Sequence, residues 1–327
     1  MYFHPGWVFL TGLVVIILGS EALLRGASRV AARLGVKPMI IGLTVVSLGT
    51  STPELAVGIT AAIEDKGSLA IGNIAGTNIL NILFILGLSA LIRPLPTSLL
   101  SVKLDVPLMI LSAVALWLMS YNGVLSRIEG VAFVICAILY TYVLIILSRG
   151  ETPSRKAQFS NEFSQKQLDV DKSPLLTAWN VLVLIFGMAT TVFGAELLVA
   201  GAVDIAKIYH VSDAMIGLTI VAIGTSAPEL FTTILSTLKN DRDVAIGNLI
   251  GSSIYNILAI LGITMIVAPN GIKVPNEILW IDLTIAMAVA MLCLPVFRSD
   301  QKITRVEGGI FVAGYFAYLT FLIVYRS

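Results

Sequence analysis

Residues 42–56 read GLTVVSLGTSTPELA and residues 217–231 read GLTIVAIGTSAPELF, so the chain carries one unusual motif twice. Ten of the fifteen positions are identical between the two copies. Each copy places Gly-Thr-Ser, a proline and a glutamate inside a strongly apolar stretch. Proline lacks a backbone N–H and disfavours helical angles in the residue before it. Each copy therefore predicts a helix that breaks and restarts.

The composition of the chain indicates a membrane protein. Of its 327 residues, 57% are hydrophobic and 13% are charged, and the mean hydropathy is +0.93. A soluble domain of this size needs more charge to cover its surface. A membrane span needs about 20 largely apolar residues. That rule predicts about ten spans, at 7–24, 38–63, 69–92, 104–120, 128–147, 175–203, 214–238, 244–267, 278–297 and 306–325.

The repeat extends beyond the opening motif. AIGNIAGTNILNILFILG at 70–87 and AIGNLIGSSIYNILAILG at 245–262 keep the same offset and share 12 of 18 positions. The chain therefore divides into a first half at 1–147, a polar linker at 148–173 and a second half at 174–327. Each half holds five spans, so the second half enters the membrane from the opposite side. We expect an all-α polytopic membrane protein with two inverted five-helix repeats, in which helices 2, 3, 7 and 8 are broken.

The distribution of basic residues predicts the orientation of the chain. If the N-terminus lies outside and ten spans alternate, 16 of the 21 Lys and Arg residues fall on the cytoplasmic side. Positive charge concentrates on the cytoplasmic side of plasma-membrane proteins. We expect a plasma (inner) membrane protein with both termini outside and the linker in the cytoplasm. Cys136 and Cys293 fall inside apolar spans, which predicts no disulfide, and Met1–Trp7 carries no Lys or Arg, which predicts no cleaved signal peptide.

Oxygen-bearing side chains gather at the predicted breaks and in the second motif of each half. In hydrocarbon an unpaired carbonyl costs several kcal/mol, so a broken helix is tolerated only where it lines a polar cavity. The breaks carry Glu54 and Glu229, one from each half. The remaining polar groups are Thr50, Ser51, Thr225, Ser226, Asn73, Thr77, Asn78, Asn81, Asn248, Ser252, Ser253 and Asn256.

These groups predict a site for a hard cation near the middle of the membrane. The spans contain no histidine and no paired cysteine, which disfavours zinc and copper. Ca²⁺ takes about 6–8 oxygen ligands in flexible geometry, and Na⁺ also takes oxygen ligands. Two ionised glutamates balance one Ca²⁺ or two Na⁺. Because a bare pair of buried carboxylates is very costly, we expect the protein to change sides only when loaded. Protonation of both glutamates is the alternative to Na⁺.

The paired motifs identify a family. GTSTPE and GTSAPE, together with GNIAGTNILN and GNLIGSSIYN, resemble the two α-repeats of the cation/calcium antiporter superfamily, the sodium/calcium exchangers, and most of all the prokaryotic members. The resemblance covers nearly the whole chain. It implies a Na⁺/Ca²⁺ antiporter with ten helices that works by alternating access and needs no cofactor, with Ca²⁺, Na⁺ and the lipid bilayer as its partners and no nucleic acid.

The resemblance also implies a set of ligands. Glu54 and Glu229 hold Ca²⁺, and the helices equivalent to spans 1 and 6 slide across the rest. Well-studied exchangers often have Asp at the position of Asn256, so the number of Na⁺ ions and any K⁺ requirement stay open. The remaining implied ligands are the side chains of Thr50, Ser51, Thr225, Ser226, Thr77, Ser252, Asn81 and Asn256, and the backbone carbonyls of Ser47 and Ala222.

Other interpretations of the same residues remain. The hydroxyls of Thr50, Ser51, Thr225 and Ser226 would also serve to cap the restarted helices. A Ca²⁺/H⁺ exchanger or a K⁺-dependent Na⁺/Ca²⁺ exchanger would use the same two glutamates. A cation channel with the breaks as its filter is less favoured. The sequence offers no nucleophile–base set or metal triad, so we expect no enzymatic activity.

Overall fold

The structure is a computed structural model, and the residues it describes are 4–34, 38–149, 174–209, 222–299 and 302–326. The polar linker predicted at 148–173 lies almost entirely outside them, as does the first part of the span predicted at 214–238. The helices are α1 Pro5–Leu34, α2a Met39–Thr50, α2b Thr52–Ile63, α3 Gly67–Ile92, α4 Ser101–Asn122, α5 Arg127–Arg149, α6 Pro174–Ile208, α7a Ala222–Thr225, α7b Ala227–Leu238, α8 Arg242–Val267, α9 Ile278–Arg298 and α10 Arg305–Arg326.

The described helices make this a polytopic membrane protein. Eight of them are long and apolar enough to cross a membrane, and α2a with α2b forms a ninth span that bends by 43°. The bend lies at Ser51, two residues before Pro53, which is in the first turn of α2b. The matching break in the second half lies at Ser226, next to Pro228 in the first turn of α7b. The two motif breaks are therefore present as expected.

The breaks that we expected in helices 3 and 8 do not occur. Both α3 and α8 continue from end to end, and each contains a π-helical segment, at Leu80–Leu86 and Asn256–Leu261. Neither helix contains a proline, so no backbone N–H is missing and the wider π turns absorb the irregularity. Such segments are frequent at functional sites.

Two short antiparallel ladders join the halves outside the helices. β1 (Leu95–Pro96) pairs with β4 (Lys302–Ile303), and β2 (Val124–Leu125) pairs with β3 (Ile272–Lys273). β1 lies in the loop between α3 and α4, and β4 lies in the loop between α9 and α10. β2 lies between α4 and α5, and β3 lies between α8 and α9. If the halves are inverted and all spans alternate, the two loops of each ladder lie on the same side of the membrane.

The contacts between loops follow the same division into two sides. On the side of β1 and β4, the Arg93 guanidinium donates to Asn240 Oδ1 at 3.4 Å. On the side of β2 and β3, the Arg127 guanidinium donates to the Ala268 carbonyl at 2.9 Å. The described loops thus form two separate sets, as two inverted repeats require.

The centre of the molecule is formed by α3 and α8. In these two helices 78% and 83% of the most apolar stretch is buried, against 39% or less in the other six long spans. Helix α8 lies directly against α2a, because a Cβ atom on Gly251 would lie 2.6 Å from the Leu43 carbonyl oxygen. Only glycine allows this approach, and it brings the second half onto the first break.

Helices α1 and α6 pack backbone to backbone along what we call the glycine seam. The seam consists of glycines spaced seven residues apart on each helix: Gly12, Gly19 and Gly26 on α1, and Gly187, Gly194 and Gly201 on α6. A Cβ atom on Gly19 would lie 2.5 Å from the Thr191 nitrogen, and one on Gly194 would lie 2.4 Å from the Ile16 nitrogen. No side chain fits between the two helices at these positions, so α1 and α6 form one tightly joined pair.

Candidate cation site

The two motif glutamates lie at the start of the restarted helices. Glu54 is in the first turn of α2b and Glu229 is in the first turn of α7b. Both side chains are fully buried. A proline in the first turn of each helix costs no hydrogen bond there, because that N–H would have no partner within the helix. The duplicated sequence therefore places one carboxylate from each half inside the protein.

A pair of hydrogen bonds crosses between the halves at these carboxylates. The Ser51 hydroxyl, next to the first break, donates to Glu229 Oε1 at 3.1 Å. The Ser226 hydroxyl, next to the second break, donates to Glu54 Oε1 at 3.3 Å. Each serine lies three residues before the glutamate of its own half but bonds to the glutamate of the other half.

These serines do not cap their helices. Ser51 and Ser226 occupy the position before α2b and α7b, where a serine side chain usually bonds to the helix N–H groups. Neither makes a side-chain capping bond. The capping interpretation is therefore wrong for these two hydroxyls, which instead face the carboxylates.

The hydroxyls of Thr50 and Thr77 belong to the same cluster. Ser226 Oγ lies 3.3 Å from Thr77 Oγ1 on α3. The Thr50 hydroxyl lies 3.3 Å from the Ser47 carbonyl oxygen and 3.4 Å from Asn248 Oδ1 on α8. All of these side chains except Asn248 were predicted to be ligands. They join both breaks to the two central helices.

The amides of α3 and α8 form a second layer of contacts. Asn78 donates to the Ser253 carbonyl at 3.1 Å, and Asn256 donates to Asn78 Oδ1 at 3.3 Å. Asn256 keeps its own Oδ1 without a partner, and both polar atoms of Asn81 have none among the described residues. The repeat is therefore symmetric in sequence at positions 81 and 256 but not in hydrogen bonding.

The carbonyls near the first break are less free than expected. Gly49 loses its donor because residue 53 is proline, but the Thr52 hydroxyl donates to the Gly49 carbonyl at 2.8 Å. The Ser47 carbonyl accepts from the Ser51 N–H at 3.1 Å and from the Thr50 hydroxyl. A carbonyl has two lone pairs, so cation binding by Ser47 requires the Thr50 hydroxyl to turn away.

The remaining predicted ligands lie in the matching segment of the second half. Ala222 is the first residue of α7a, and Thr225 is the last, immediately before Ser226. Ser252 lies on α8, fully buried, with no hydrogen-bond partner for its hydroxyl among the described side chains. The hydrogen bonds described above join Ser51, Ser226 and Thr77 to the two glutamates, and they join Thr50 to α8.

Asn248 and Thr233, which are not among the predicted ligands, also belong to this region. Asn248 contacts Thr50 and also donates to the Thr233 hydroxyl on α7b at 3.2 Å. Thr233 is one of four fully buried hydroxyl residues that follow Glu229 on α7b. They are Thr232, Thr233, Ser236 and Thr237. The sequence signal for Thr233 is a difference between the two halves. The equivalent position in α2b is Gly58, which has no hydroxyl.

The arrangement suits a cation held by oxygen. The described residues contain no group of three His, Cys, Asp or Glu side chains of the kind that holds a transition metal. Several buried oxygens in the region have no partner within the described chain: Glu54 Oε2, Glu229 Oε2, Asn81 Oδ1, Asn256 Oδ1, Ser252 Oγ and Ser253 Oγ. Buried polar atoms are normally paired, so this concentration of unpaired oxygens is what a hard-cation site needs.

A family model matches the chain in two segments. Residues 4–146 and 179–324 match the model described as sodium/calcium exchanger protein. The two matched segments are separated by residues 147–178.

Known proteins resemble the chain over nearly its whole length. A putative antiporter, CaxA from Alkalimonas amylolytica, is 36% identical over 94% of this chain and 95% of its own. The sodium/calcium exchanger MaX1 from Methanosarcina acetivorans is 32% identical over 96% and 97%. Among solved structures, the sodium-calcium exchanger NCX_Mj soaked with 10 mM Na⁺ and no Ca²⁺ superposes with a TM-score of 0.82 at 28% identity, covering 99% of both chains.

Proposed function

Because the chain belongs to the sodium/calcium exchanger family, we propose that it exchanges Na⁺ for Ca²⁺ across the membrane by alternating access. Both ions compete for the site between Glu54 and Glu229. The observation that carries this proposal is the crossed pair of hydrogen bonds, Ser51 to Glu229 and Ser226 to Glu54. It brings one fully buried carboxylate from each half to a common place.

The charge of the site supports coupled exchange. The two carboxylates accept hydrogen bonds from hydroxyls, and no Lys, Arg or His side chain bonds to either one in the described part of the chain. Burying an uncompensated ion costs several kcal/mol. The two ionised glutamates together carry a charge of −2, which one Ca²⁺ or two Na⁺ balance. The single glutamate of either half carries only −1. The bare protein is therefore held back from changing sides, which makes exchange obligatory.

We propose the ligand set predicted from the sequence. Glu54 and Glu229 hold Ca²⁺, with help from oxygens of Thr77, Ser252, Asn81 and Asn256. Further oxygens bind mainly Na⁺. They come from Thr50, Ser51, Thr225 and Ser226 and from the backbone carbonyls of Ser47 and Ala222. In this arrangement the hydroxyls that now bond to the carboxylates turn toward the cation when it binds.

We also propose that both termini lie outside the plasma (inner) membrane. The halves at 1–147 and 174–327 are joined by a cytoplasmic linker at 148–173. The excess of Lys and Arg on the side of β1 and β4 supports this orientation.

The alternative is exchange of Ca²⁺ for protons. Each glutamate keeps one oxygen, Oε2, without a partner among the described residues, and a proton would sit there when Ca²⁺ leaves. The two proposals place charge at the same atoms and differ only in the counter-ion.

Transport of ⁴⁵Ca²⁺ into proteoliposomes separates these possibilities. With pH clamped by ionophore on both sides, an outward Na⁺ gradient should drive Ca²⁺ uptake, and adding K⁺ should show whether K⁺ is required. Glu54→Gln and Glu229→Gln should each reduce uptake at least about 100-fold, because removing a direct charged contact to a buried ion costs about 3 kcal/mol or more. Glu64→Gln, in an exposed loop, is the matched control.

Three results would overturn the proposal. Uptake driven by a pH gradient and not by Na⁺ would assign the proton exchanger. Ca²⁺ flux without any counter-ion would assign a channel. Near-normal uptake by either glutamine variant would remove these glutamates from the site.

A further inference from the structure

A second polar site lies at the membrane surface, away from the cation site. It is a cleft of about 230 Å³ between the last turns of α1 and the end of α7b. None of its lining residues belongs to the cation site. The lining residues are Leu24, Arg25, Ser28, Arg29, Lys239 and Asp241.

The cleft is positively charged. Its lining carries three basic side chains, Arg25, Arg29 and Lys239, and one acidic side chain, Asp241. Glu21 lies beside it and forms ion pairs with Arg25, at 2.6 Å, and with Lys239. Counting Glu21, one positive charge remains uncompensated. Such a cleft repels Ca²⁺ and Na⁺ and attracts an anion.

The uncompensated charge belongs to Arg29. Within the described part of the chain, its exposed guanidinium has no hydrogen bond or ion pair. The neighbouring Ser28 hydroxyl also has none there. A guanidinium presents a rigid fork of donors that suits a phosphate group. Burial lowers the pKa of the Lys239 ammonium, and the nearby Asp241 carboxylate acts in the opposite direction, so a further anion would stabilise the charged lysine.

The surface leading to the cleft is apolar. On α1, Val14 is 56% exposed and Leu18 is 62% exposed. Leu18 and Arg25 are seven residues apart, so they lie on one face of the helix, about 10 Å apart along its axis. An acyl chain lying over Val14 and Leu18 would place its headgroup at Arg25 and Arg29. This continuity favours a phospholipid over free phosphate.

We propose that this cleft binds the phosphodiester of an anionic phospholipid. The phosphate lies between Arg25, Arg29 and Ser28, and its single negative charge balances the charge left by Glu21 and Asp241. The acyl chains lie along the exposed face of α1. Because Lys239 follows α7b, the lipid contacts α1 and the end of α7b together.

Native mass spectrometry of the full-length protein tests this proposal. The purified chain is equilibrated in mixed micelles of phosphatidylglycerol and phosphatidylcholine, and the bound lipid is counted as the phosphatidylglycerol fraction is varied. The wild type should retain one phosphatidylglycerol in preference to phosphatidylcholine. In Arg25→Gln/Arg29→Gln the apparent affinity should fall about 25-fold, about fivefold for each basic residue.

Two further variants make the result specific. Arg298→Gln removes an exposed arginine at the end of α9, on the same side of the membrane, and should retain the lipid. Arg29→Lys should recover most of the affinity that Arg29→Gln loses. Thermal unfolding in neutral detergent shows whether each variant is folded before its lipid is counted.

Two outcomes would overturn the proposal. Equal retention of phosphatidylglycerol by the wild type and a folded Arg25→Gln/Arg29→Gln variant would place the lipid elsewhere. Displacement of the lipid by millimolar inorganic phosphate, together with a higher thermal unfolding midpoint when phosphate is added to lipid-free protein, would assign a free-phosphate site. Neither measurement depends on ion exchange, so they test the cleft independently of the cation site.

Discussion

Ser51 and Ser226 show how a duplicated sequence makes one shared site. In each half the serine and the glutamate are three residues apart, yet the serine bonds to the glutamate of the opposite half. Each carboxylate therefore accepts a hydrogen bond from a serine that lies 172 or 178 residues away in sequence. Loss of either break would disturb both carboxylates, because each break begins the helix that carries one glutamate and supplies the serine that bonds to the other.

Removing these hydroxyls should weaken cation binding without removing the charge. Ser51→Ala and Ser226→Ala should each raise the Ca²⁺ concentration for half-maximal Na⁺-driven uptake about tenfold or more, because a hydrogen bond to a charged group contributes about 1.5–3 kcal/mol. The measurement is the concentration dependence of ⁴⁵Ca²⁺ uptake in proteoliposomes.

Ser112→Ala is the control for that pair of variants. The Ser112 hydroxyl is buried on α4, and its one hydrogen bond within the described ranges is to the Met109 carbonyl of its own helix, at 2.8 Å. An unchanged Ca²⁺ dependence in both Ser51→Ala and Ser226→Ala would show that the crossed bonds do not prepare the site.

At the scale of whole helices, the molecule divides into a central group and a peripheral pair. Helices α3 and α8 are buried on most of their surface, whereas α1 and α6 expose one side and contact each other through the glycine seam. The close backbone contact means that α1 and α6 must shift together if either shifts. Sliding of these two helices, as the family resemblance implies, would then move them as one body.

Filling the glycine seam should destabilise the protein. Gly194→Ala puts a methyl group 2.4 Å from the Ile16 nitrogen and 2.7 Å from its Cα. Backbone atoms cannot rotate away, so the two helices must separate. We expect a loss of about 1–3 kcal/mol, measured as a lower midpoint of thermal unfolding in detergent.

Gly309→Ala provides the comparison. Gly309 lies on α10, where an added Cβ would meet only a side-chain carbon of Leu91, at 3.6 Å. Alanine is the better helix former by about 0.8–1 kcal/mol, so this variant should be as stable as the wild type or more so. Equal unfolding midpoints for both variants would mean that the seam is looser than the structure has it.

At the scale of the whole molecule, the two ladders and the loop contacts define two faces. The face with β1 and β4 also holds the contact between Arg93 and Asn240, and the face with β2 and β3 holds the contact between Arg127 and Ala268. The proposed orientation assigns the first face to the cytoplasm and the second to the outside.

Cysteine labelling in intact cells checks that assignment. In a Cys136→Ala/Cys293→Ala background, a cysteine replacing the exposed Asn122 should react with a membrane-impermeant maleimide, because the residue lies on the proposed outer face. A cysteine replacing the exposed Ser299 should react only after the cells are opened. The reverse pattern would invert the orientation of the chain.

The sequence predicts those features that depend on local chemistry. Pro53 and Pro228 fixed the two breaks, and the matched motifs indicated the inverted halves. The crossed bonds of Ser51 and Ser226 were not predictable, because a serine hydroxyl directly before a helix usually caps that helix. The partner it takes instead depends on how the halves meet in space.

Helix continuity and the depth of isolated acids were also beyond the sequence. Asparagines and glycines in α3 and α8 favoured breaks, but without a proline the helices continue through π turns. Asp105 lies near the start of α4, and the sequence does not show how deeply its side chain is buried. It is fully buried and accepts a hydrogen bond from the Tyr140 hydroxyl at 3.0 Å, a partner contributed by a helix beyond the next loop.

The glycine seam is reciprocal: Gly12 meets Leu198 while Gly187 meets Leu23, and Gly26 meets Leu184 while Gly201 meets Phe9. In each pair of contacts both positions are exchanged by the same 175-residue shift. This is the signature of an isologous interface, which two identical subunits form around a two-fold axis. A half-length polypeptide inserted into the bilayer in both directions would present this surface to its own inverted copy. The α1–α6 contact thus has the geometry of a homodimer interface within a single chain.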